Sequence, residues 1–270
     1  MALLGSTQPR TGVPKAPAEK KGLFKFGEIY GRRCWQLITL NLIFLLACIP
    51  IVTIGPAIAA MTKVCRNWSQ ERNAFVWADF WDAFKKNFKQ GFVMGTIDLV
   101  CLVGFYVAIL SYYEWASETS AMYIPLIICI SCCTVFFMMH FYIYLMIAST
   151  NLSLFKIIKN SFFLVSLGIK KSLWTLLIWI IVLFLMIGFL PYSLFIIPFW
   201  PFSFLCFVNA FNCYPEIRKY VIQPYYDERG EDNPEFDYLK TDDAVFEDKG
   251  GEEPVPEKES RRKKKSKTIS

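Results

Sequence analysis

The sequence has few of the residues and none of the motifs on which common catalytic sites depend. It contains a single histidine, His140, in 270 residues. It has no Gly-Lys-Ser phosphate-binding run, no Gly-X-Ser-X-Gly nucleophile motif and no His-Glu-X-X-His zinc motif. Because these motifs position the reactive groups of ATPases, serine hydrolases and zinc hydrolases, we expect a non-enzymatic protein without a cofactor.

The nine cysteines do not have the distribution of a disulfide framework, since most of them lie inside apolar segments. Cys129, Cys132 and Cys133 have a spacing that superficially resembles a metal or redox pair. A metal site needs further ligands, and the sequence offers no second Cys-X-X-Cys pair and no pair of histidines. We therefore interpret the thiols as small hydrophobic side chains.

Charge is also scarce, at 19% of residues against 54% hydrophobic. It is almost absent from five apolar segments, which are residues 35–54, 91–113, 122–148, 173–190 and 194–211. A helix needs about 20 apolar residues to cross the bilayer core of about 30 Å. The sequence therefore predicts an all-α, polytopic membrane bundle with about five transmembrane helices.

Lysine and arginine mark the loops that face the cytoplasm. Loops 55–90 and 149–172 and the tail after residue 211 are rich in them, whereas loops 111–121 and 191–193 contain none. Since basic loops stay on the cytoplasmic side, we expect a multi-pass protein of the cell membrane with its C-terminus in the cytoplasm. Five crossings then put the N-terminus outside.

The basic residues just before the first segment conflict with this orientation, because Lys25, Arg32 and Arg33 would then lie outside. A re-entrant first segment, which enters and leaves on the cytoplasmic side, would remove the conflict. Such a hairpin needs an interruption of the helix, which can be supplied by Pro50, Gly55 and Pro56. We prefer an N-terminus outside, with the re-entrant arrangement as the alternative.

Two basic loops contain segments with the pattern of helices that lie in the membrane interface. In residues 79–90, aromatic rings recur about every four residues and lysines take the other face, with Asp79 as the expected N-cap. Residues 151–168 follow the same pattern after Asn151. Both are either interfacial amphipathic helices or elbows between spans. The first offers a candidate face for lipid headgroups or a partner, formed by Phe80, Trp81, Phe84, Lys85, Phe88 and Lys89.

Two titratable residues lie within the apolar segments. Asp98 is in the second and His140 in the third, each about 10–15 Å from the cytoplasmic boundary. A titratable group inside a span is a candidate functional site, and an Asp–His pair can relay a proton. Alternatively, His140 bonds a backbone carbonyl and Asp98 a hydroxyl such as that of Thr96.

Composition divides the chain into three parts. We expect a disordered extension over residues 1–22, an integral membrane helical domain over 23–220, and a disordered cytoplasmic tail over 221–270. The tail is rich in acids and ends in a basic run, so it has too little apolar surface to fold.

Four stretches resemble the YesL family of bacterial integral membrane proteins, whose function is unknown. They are NLIF at 41–44, PIVTIGPA at 50–57, AAM at 59–61, and the residues Phe80, Trp81, Ala83, Phe84 and Asn87 to Gln90. Members are typically encoded beside sugar-binding-protein-dependent ABC transporters. The resemblance implies a bacterial cell membrane and a role near oligosaccharide uptake, and it supplies no catalytic residue.

Our leading hypothesis is therefore an accessory or assembly partner of a carbohydrate transport system. The alternative is a small-solute transporter in which Asp98 and His140 couple a proton. A regulatory membrane protein with the charged tail as its output is a third option. The expected partners are the lipid bilayer, sugar ABC transporter subunits and a second copy of the chain, and no nucleic acid.

Overall fold

The computed structural model describes residues 22–230, and every regular element in that range is helical. The α-helices are α1 Gly22–Ala47, α2 Ile54–Ser69, α3 Val76–Lys86, α4 Phe88–Glu118, α5 Tyr123–Ser149, α6 Leu154–Leu167, α7 Ile169–Gly188, α8 Ser193–Ile196, α9 Pro201–Ile217 and α10 Gln223–Arg229. Short 3₁₀ turns at Ile51–Thr53 and Ser120–Met122 precede α2 and α5, and a π-helical turn at Arg218–Ile222 follows α9. Of the described residues, 22–225 belong to one compact unit and 226–230 to a second.

Three helical segments are long and apolar enough to cross a membrane. They are Phe88–Glu118, Ser120–Ser149 and Ile169–Gly188. Few of their side chains are buried inside the protein, as expected for helices whose apolar surface faces lipid. The all-helical fold class and the second, third and fourth apolar segments are thus as predicted. The total of five spans stays a prediction.

The first apolar segment is not one helix, contrary to its simplest interpretation. Helix α1 ends at Ala47, and α2 begins at Ile54. Pro50 lies in the break, where it has no backbone N–H to offer a continuing helix. The hydroxyl of Thr53 closes the break by donating to the carbonyl of Ala47 at 2.6 Å. Pro56 lies in the first turn of α2, where a proline is tolerated.

Helices α1 and α2 form a hairpin whose open ends are tied together. Glu71, just after α2, accepts an ion pair from Arg32 at 3.2 Å and one from Lys25 at 3.4 Å. Arg33 also reaches the side chain of Asn73. The start of α1 and the end of α2 therefore lie at the same end of the hairpin.

The fifth apolar segment is broken as well, between α8 and α9. Asn41 of α1 holds this break, because its amide nitrogen donates to the carbonyls of Ile197 at 2.9 Å and Pro198 at 2.8 Å. Its amide oxygen accepts from the backbone N–H of Ser203 at 3.1 Å. A buried asparagine thus satisfies backbone groups that the unwound segment leaves without helical partners.

Helix α2 is the centre of the bundle and packs against α1, α3, α4, α5 and α9. It crosses α4 without intervening side chains. A Cβ atom built on Gly55 would lie 2.0 Å from the carbonyl oxygen of Gly91. Small residues allow helix backbones to approach this closely.

The two segments predicted as amphipathic helices are α3 and α6, but neither begins at the expected cap. Phe75 precedes α3, and its backbone N–H donates to the Asp79 carboxylate at 2.8 Å. Ser153 precedes α6. Their position at a membrane interface stays a prediction.

The membrane domain was predicted to end at residue 220, yet the chain continues as helix to Arg229. Residues 221–229 are therefore ordered as helix rather than disordered as expected. The rest of the predicted tail, and the extension over residues 1–21, lie outside the described residues.

Candidate functional site

Asp98 and His140 are in direct contact. Nε2 of His140 lies 2.5 Å from Oδ1 of Asp98. Asp98 is about 15 Å along α4 from its start, and His140 is about 14 Å from the end of α5. Because the two helices pack side by side, residues at matching depths can meet although they are far apart in sequence.

Tyr144 completes the site and was not predicted from the sequence. Its hydroxyl donates to Oδ2 of Asp98 at 2.5 Å. Tyr144 lies four residues after His140 and therefore on the same face of α5. That spacing was the available signal, but it gains meaning only once Asp98 is known to face this side of α5.

The hydrogen bonds of His140 require a proton between His140 and Asp98. Nδ1 of His140 lies 2.8 Å from the carbonyl oxygen of Phe136, which can only accept, so Nδ1 carries a hydrogen. The contact between Nε2 and Oδ1 then needs a hydrogen of its own. Without it, two lone pairs would face each other at 2.5 Å.

The proton can reside on either partner, as imidazolium with carboxylate or as neutral imidazole with carboxylic acid. In both forms the pair is electrically neutral overall, which suits a site of low dielectric constant. Asp98 and His140 retain only 22% and 18% side-chain exposure. The arrangement can therefore hold one proton, and it can release that proton if another positive charge replaces it.

The pair forms part of the wall of a cavity of about 420 Å³. Drug-sized ligands occupy pockets of about 300–1,000 Å³. Most of the wall is apolar and aromatic, and α1, α2, α4, α5, α7 and α9 all contribute to it. The lining residues are Phe44, Ile54, Ile58, Met61, Thr62, Asp98, Leu102, Phe105, Cys133, Phe136, Phe137, His140, Phe141, Tyr144, Trp179, Phe202, Cys206 and Asn209.

Two further polar atoms of the lining residues are buried without a partner in the described part of the chain. They are the amide oxygen of Asn209 and the indole N–H of Trp179. The amide nitrogen of Asn209 donates to the carbonyl of Phe141 at 3.1 Å, which fixes the orientation of the side chain. The remaining oxygen is an unused acceptor, and buried polar atoms rarely stay unpaired.

The structure divides the predicted partner face. Phe80 is fully buried against the rest of the protein, so it cannot contact a partner. Trp81 and Phe84 are half-buried beside it. Lys85 at the end of α3, and Phe88 and Lys89 at the start of α4, are exposed. Helical periodicity marks an apolar face but does not say whether lipid or protein covers it.

The sequence did not predict an ion pair that joins α7 to α9. Nζ of Lys171 on α7 lies 2.6 Å from Glu216 on α9, whose side chain is only 14% exposed. Nearby, the hydroxyl groups of Tyr142 and Ser172 bond at 2.8 Å. These contacts join α5, α7 and α9 at one end of the bundle.

All nine cysteines are free thiols, and Cys129, Cys132 and Cys133 form no disulfide with one another. Among residues 22–230, no cluster of histidine, cysteine and carboxylate side chains has the arrangement of a metal site.

These observations define an all-helical protein with three helices able to cross a membrane, which is consistent with a multi-pass membrane protein. A family model described as "Protein of unknown function, DUF624" matches residues 37–109. The chain is similar to that family from the second half of α1 into α4, a range that contains Asp98 but not His140. The match does not name YesL, so that resemblance stays a prediction. No curated protein and no solved structure matches the chain.

Proposed function

We propose that the protein is a multi-pass membrane protein that moves a small solute through the cavity and exchanges a proton at the Asp98–His140 pair. The observation that carries this proposal is the 2.5 Å contact between the two side chains in the wall of a solute-sized cavity. Carboxylate and imidazole groups inside membrane helices are costly, and they commonly belong to proton or solute pathways.

The three polar residues have separate roles in this proposal. His140 and Asp98 hold the exchangeable proton between Nε2 and Oδ1. When the proton leaves, the carboxylate keeps a hydrogen bond from Tyr144, which stabilises its negative charge. The carbonyl of Phe136 holds the imidazole ring in place by accepting from Nδ1.

The hairpin of α1 and α2 supports a membrane orientation with the N-terminus in the cytoplasm. Its tied ends bring Lys25 and Arg32 to the same end as Glu71 and the loop that follows α2. Helices α1, α2, α4, α5, α7 and α9 would then alternate in direction, and both termini would be cytoplasmic. This arrangement satisfies the positive-inside rule at every basic segment, unlike the orientation preferred from the sequence alone.

Proteoliposomes with an acidic interior, monitored with a pH-sensitive dye, test the transport proposal. Four solutes are added separately: benzyltrimethylammonium, benzyl alcohol, benzoate and maltose. We expect at least one of them to dissipate the pH gradient with wild-type protein and not with Asp98→Asn. Asp82→Asn, a matched change at an exposed site of α3, should behave as wild type. If none of the four gives a response that depends on Asp98, the proposal is wrong.

A second candidate function is an accessory or assembly partner of a carbohydrate transport system, as the resemblance to the YesL family implies. One structural observation favours a binding role. Phe75 and Trp77 are 78% and 61% exposed at the start of α3, within the range that the family model matches. Exposed aromatic rings are frequent anchors at protein interfaces.

A pull-down from native membranes in mild detergent tests this second candidate. Stoichiometric recovery of a sugar permease or its ATPase, lost on Trp77→Ala but not on Phe155→Ala, would support it. Phe155 is a suitable control because it is 79% exposed on α6, outside the range that the family model matches. Recovery of the chain alone, as a monomer or homodimer, would contradict it.

A further inference from the structure

We propose that the solute of the cavity is a monovalent organic cation with an aromatic or aliphatic body, and that it replaces the shared proton one for one. This inference rests on the proposed function and names its substrate class. It is drawn from the charge of the cavity wall and from its aromatic rings.

Charge is the first argument. Asp98 is the single carboxylate among the described residues that line the cavity, and no lysine or arginine lines it. With the shared proton present, the pair is neutral; without it, the pair carries one negative charge. A monovalent cation restores neutrality when the proton leaves, whereas a neutral solute leaves a buried charge unpaired and an anion adds a second one.

The aromatic wall is the second argument. Phe105, Phe136, Phe137 and Phe141 line the cavity together with Trp179. The faces of such rings attract cations, most strongly where water is excluded. The same rings bury the apolar body of a solute. An aromatic cavity with a single negative group therefore favours a cation with an apolar body over a free sugar.

The other titratable groups on the wall are the hydroxyl of Tyr144 and the thiols of Cys133 and Cys206. Tyr144 already donates to Asp98, and neither thiol is charged while protonated. Helix α2 contributes only uncharged side chains to the wall, because Lys63 and Arg66 do not line the cavity. The Asp98–His140 pair is therefore the group from which an entering cation displaces a proton.

Replacement of one proton by one cation fixes the pH dependence of binding. As long as the free site holds its proton, the association constant should rise about tenfold for each unit of pH. Above the pH at which the free site loses the proton, the association constant should become independent of pH.

Isothermal titration of the purified, detergent-solubilised protein with benzyltrimethylammonium measures this exchange. The probe is permanently charged and has no proton to lose, so any released proton comes from the protein. Titrations at one pH in two buffers with different ionisation enthalpies count the protons released. We expect about one proton for each cation bound, and tenfold tighter binding one pH unit higher.

Two comparisons complete the experiment. Neopentylbenzene is the neutral carbon isostere of the probe. In competition titrations, its affinity for the cavity should be at least tenfold weaker than that of the probe. Asp98→Asn should release no proton on binding, while Asp82→Asn should match the wild type. The proton count and the isostere comparison use wild-type protein. They therefore test whether a cation replaces the proton even if Asp98→Asn fails to fold.

The inference is overturned if the cation does not bind, if it releases no proton from the wild type at any pH at which the protein is folded, or if the neutral isostere competes equally well. None of these results refutes the proposed function. That proposal has its own test, and it fails if no charge class of solute dissipates the pH gradient in a manner that depends on Asp98.

Discussion

Gly55 of α2 and Gly91 of α4 meet backbone to backbone, because a Cβ on Gly55 would lie 2.0 Å from the carbonyl oxygen of Gly91. The reverse substitution is similarly blocked, since a Cβ on Gly91 would lie 2.8 Å from Cα of Pro56. Asp98 lies two turns beyond Gly91 on α4. This crossing therefore sets how closely the proton-holding residues approach the rest of the cavity wall.

Gly91→Ala should destabilise the protein by about 1–3 kcal/mol, because the added methyl group forces two backbones apart. For a chain of this size we expect a fall in Tm of about 2–4 °C for each kcal/mol, measured by thermal unfolding in detergent. Gly104→Ala on the same helix is the control, because open space surrounds that position. Equal effects of the two substitutions would show that the crossing is not tightly packed.

Asn41→Leu should destabilise the link between α1 and the start of α9. The change leaves the carbonyls of Ile197 and Pro198 and the N–H of Ser203 without their partner. Each buried polar group left unpaired costs about 1–3 kcal/mol. Thr39→Val, which removes a hydroxyl bonded only within α1, should leave the Tm almost unchanged. An Asn41→Leu variant as stable as the Thr39→Val variant would contradict this role.

The ion pair of Lys171 and Glu216 can be tested by a double-mutant cycle. Lys171→Met leaves the Glu216 carboxylate nearly buried without its counter-charge, so this single change should lower the Tm. Adding Glu216→Gln should recover part of the loss, giving a coupling free energy of about 1–2 kcal/mol. Additive effects of the two changes would mean that the pair does not stabilise the packing of α7 on α9.

Tyr144→Phe removes one hydroxyl group and with it the hydrogen bond to Oδ2 of Asp98. The carboxylate form then loses a donor, so the proton should be held more tightly. Release of the proton should then be less favourable, and we expect slower proton-linked transport in proteoliposomes. Tyr106→Phe, at an exposed position of α4, should leave the transport rate unchanged. A Tyr144→Phe rate identical to that of the wild type would exclude this role.

The sequence predicted the parts of the fold that depend on local properties. Apolar length was enough to identify α4, α5 and α7 as helices able to cross a membrane. Pro50 marked the break between α1 and α2, although a single first span was the simplest interpretation. The hairpin could not be chosen from the sequence, because the contacts of Glu71 with Lys25 and Arg32 join residues that only the tertiary fold brings together.

The sequence predicted how far along their helices Asp98 and His140 lie, but not which side chains they contact. Counting residues along the helices put Asp98 and His140 at matching levels, yet the rotation of α4 against α5 decides whether they face each other. In the alternative bonding, His140 bonds a backbone carbonyl and Asp98 a hydroxyl. The structure has both bonds, to the carbonyl of Phe136 and from the hydroxyl of Tyr144, while Thr96 bonds its own helix. Phe80 was placed wrongly on a partner face, because the aromatic stripe of α3 packs partly on the protein.

The most direct test of the central claim uses the fact that His140 is the single histidine of the sequence. Protein labelled with ¹⁵N-histidine and purified without a histidine tag gives imidazole signals from this residue alone in solid-state NMR. We predict a protonated Nδ1, together with a strongly deshielded proton in the bridge between Nε2 and Asp98 that disappears in Asp98→Asn. An unprotonated Nδ1, or a spectrum that Asp98→Asn leaves unchanged, would contradict the shared proton and the transport mechanism that depends on it.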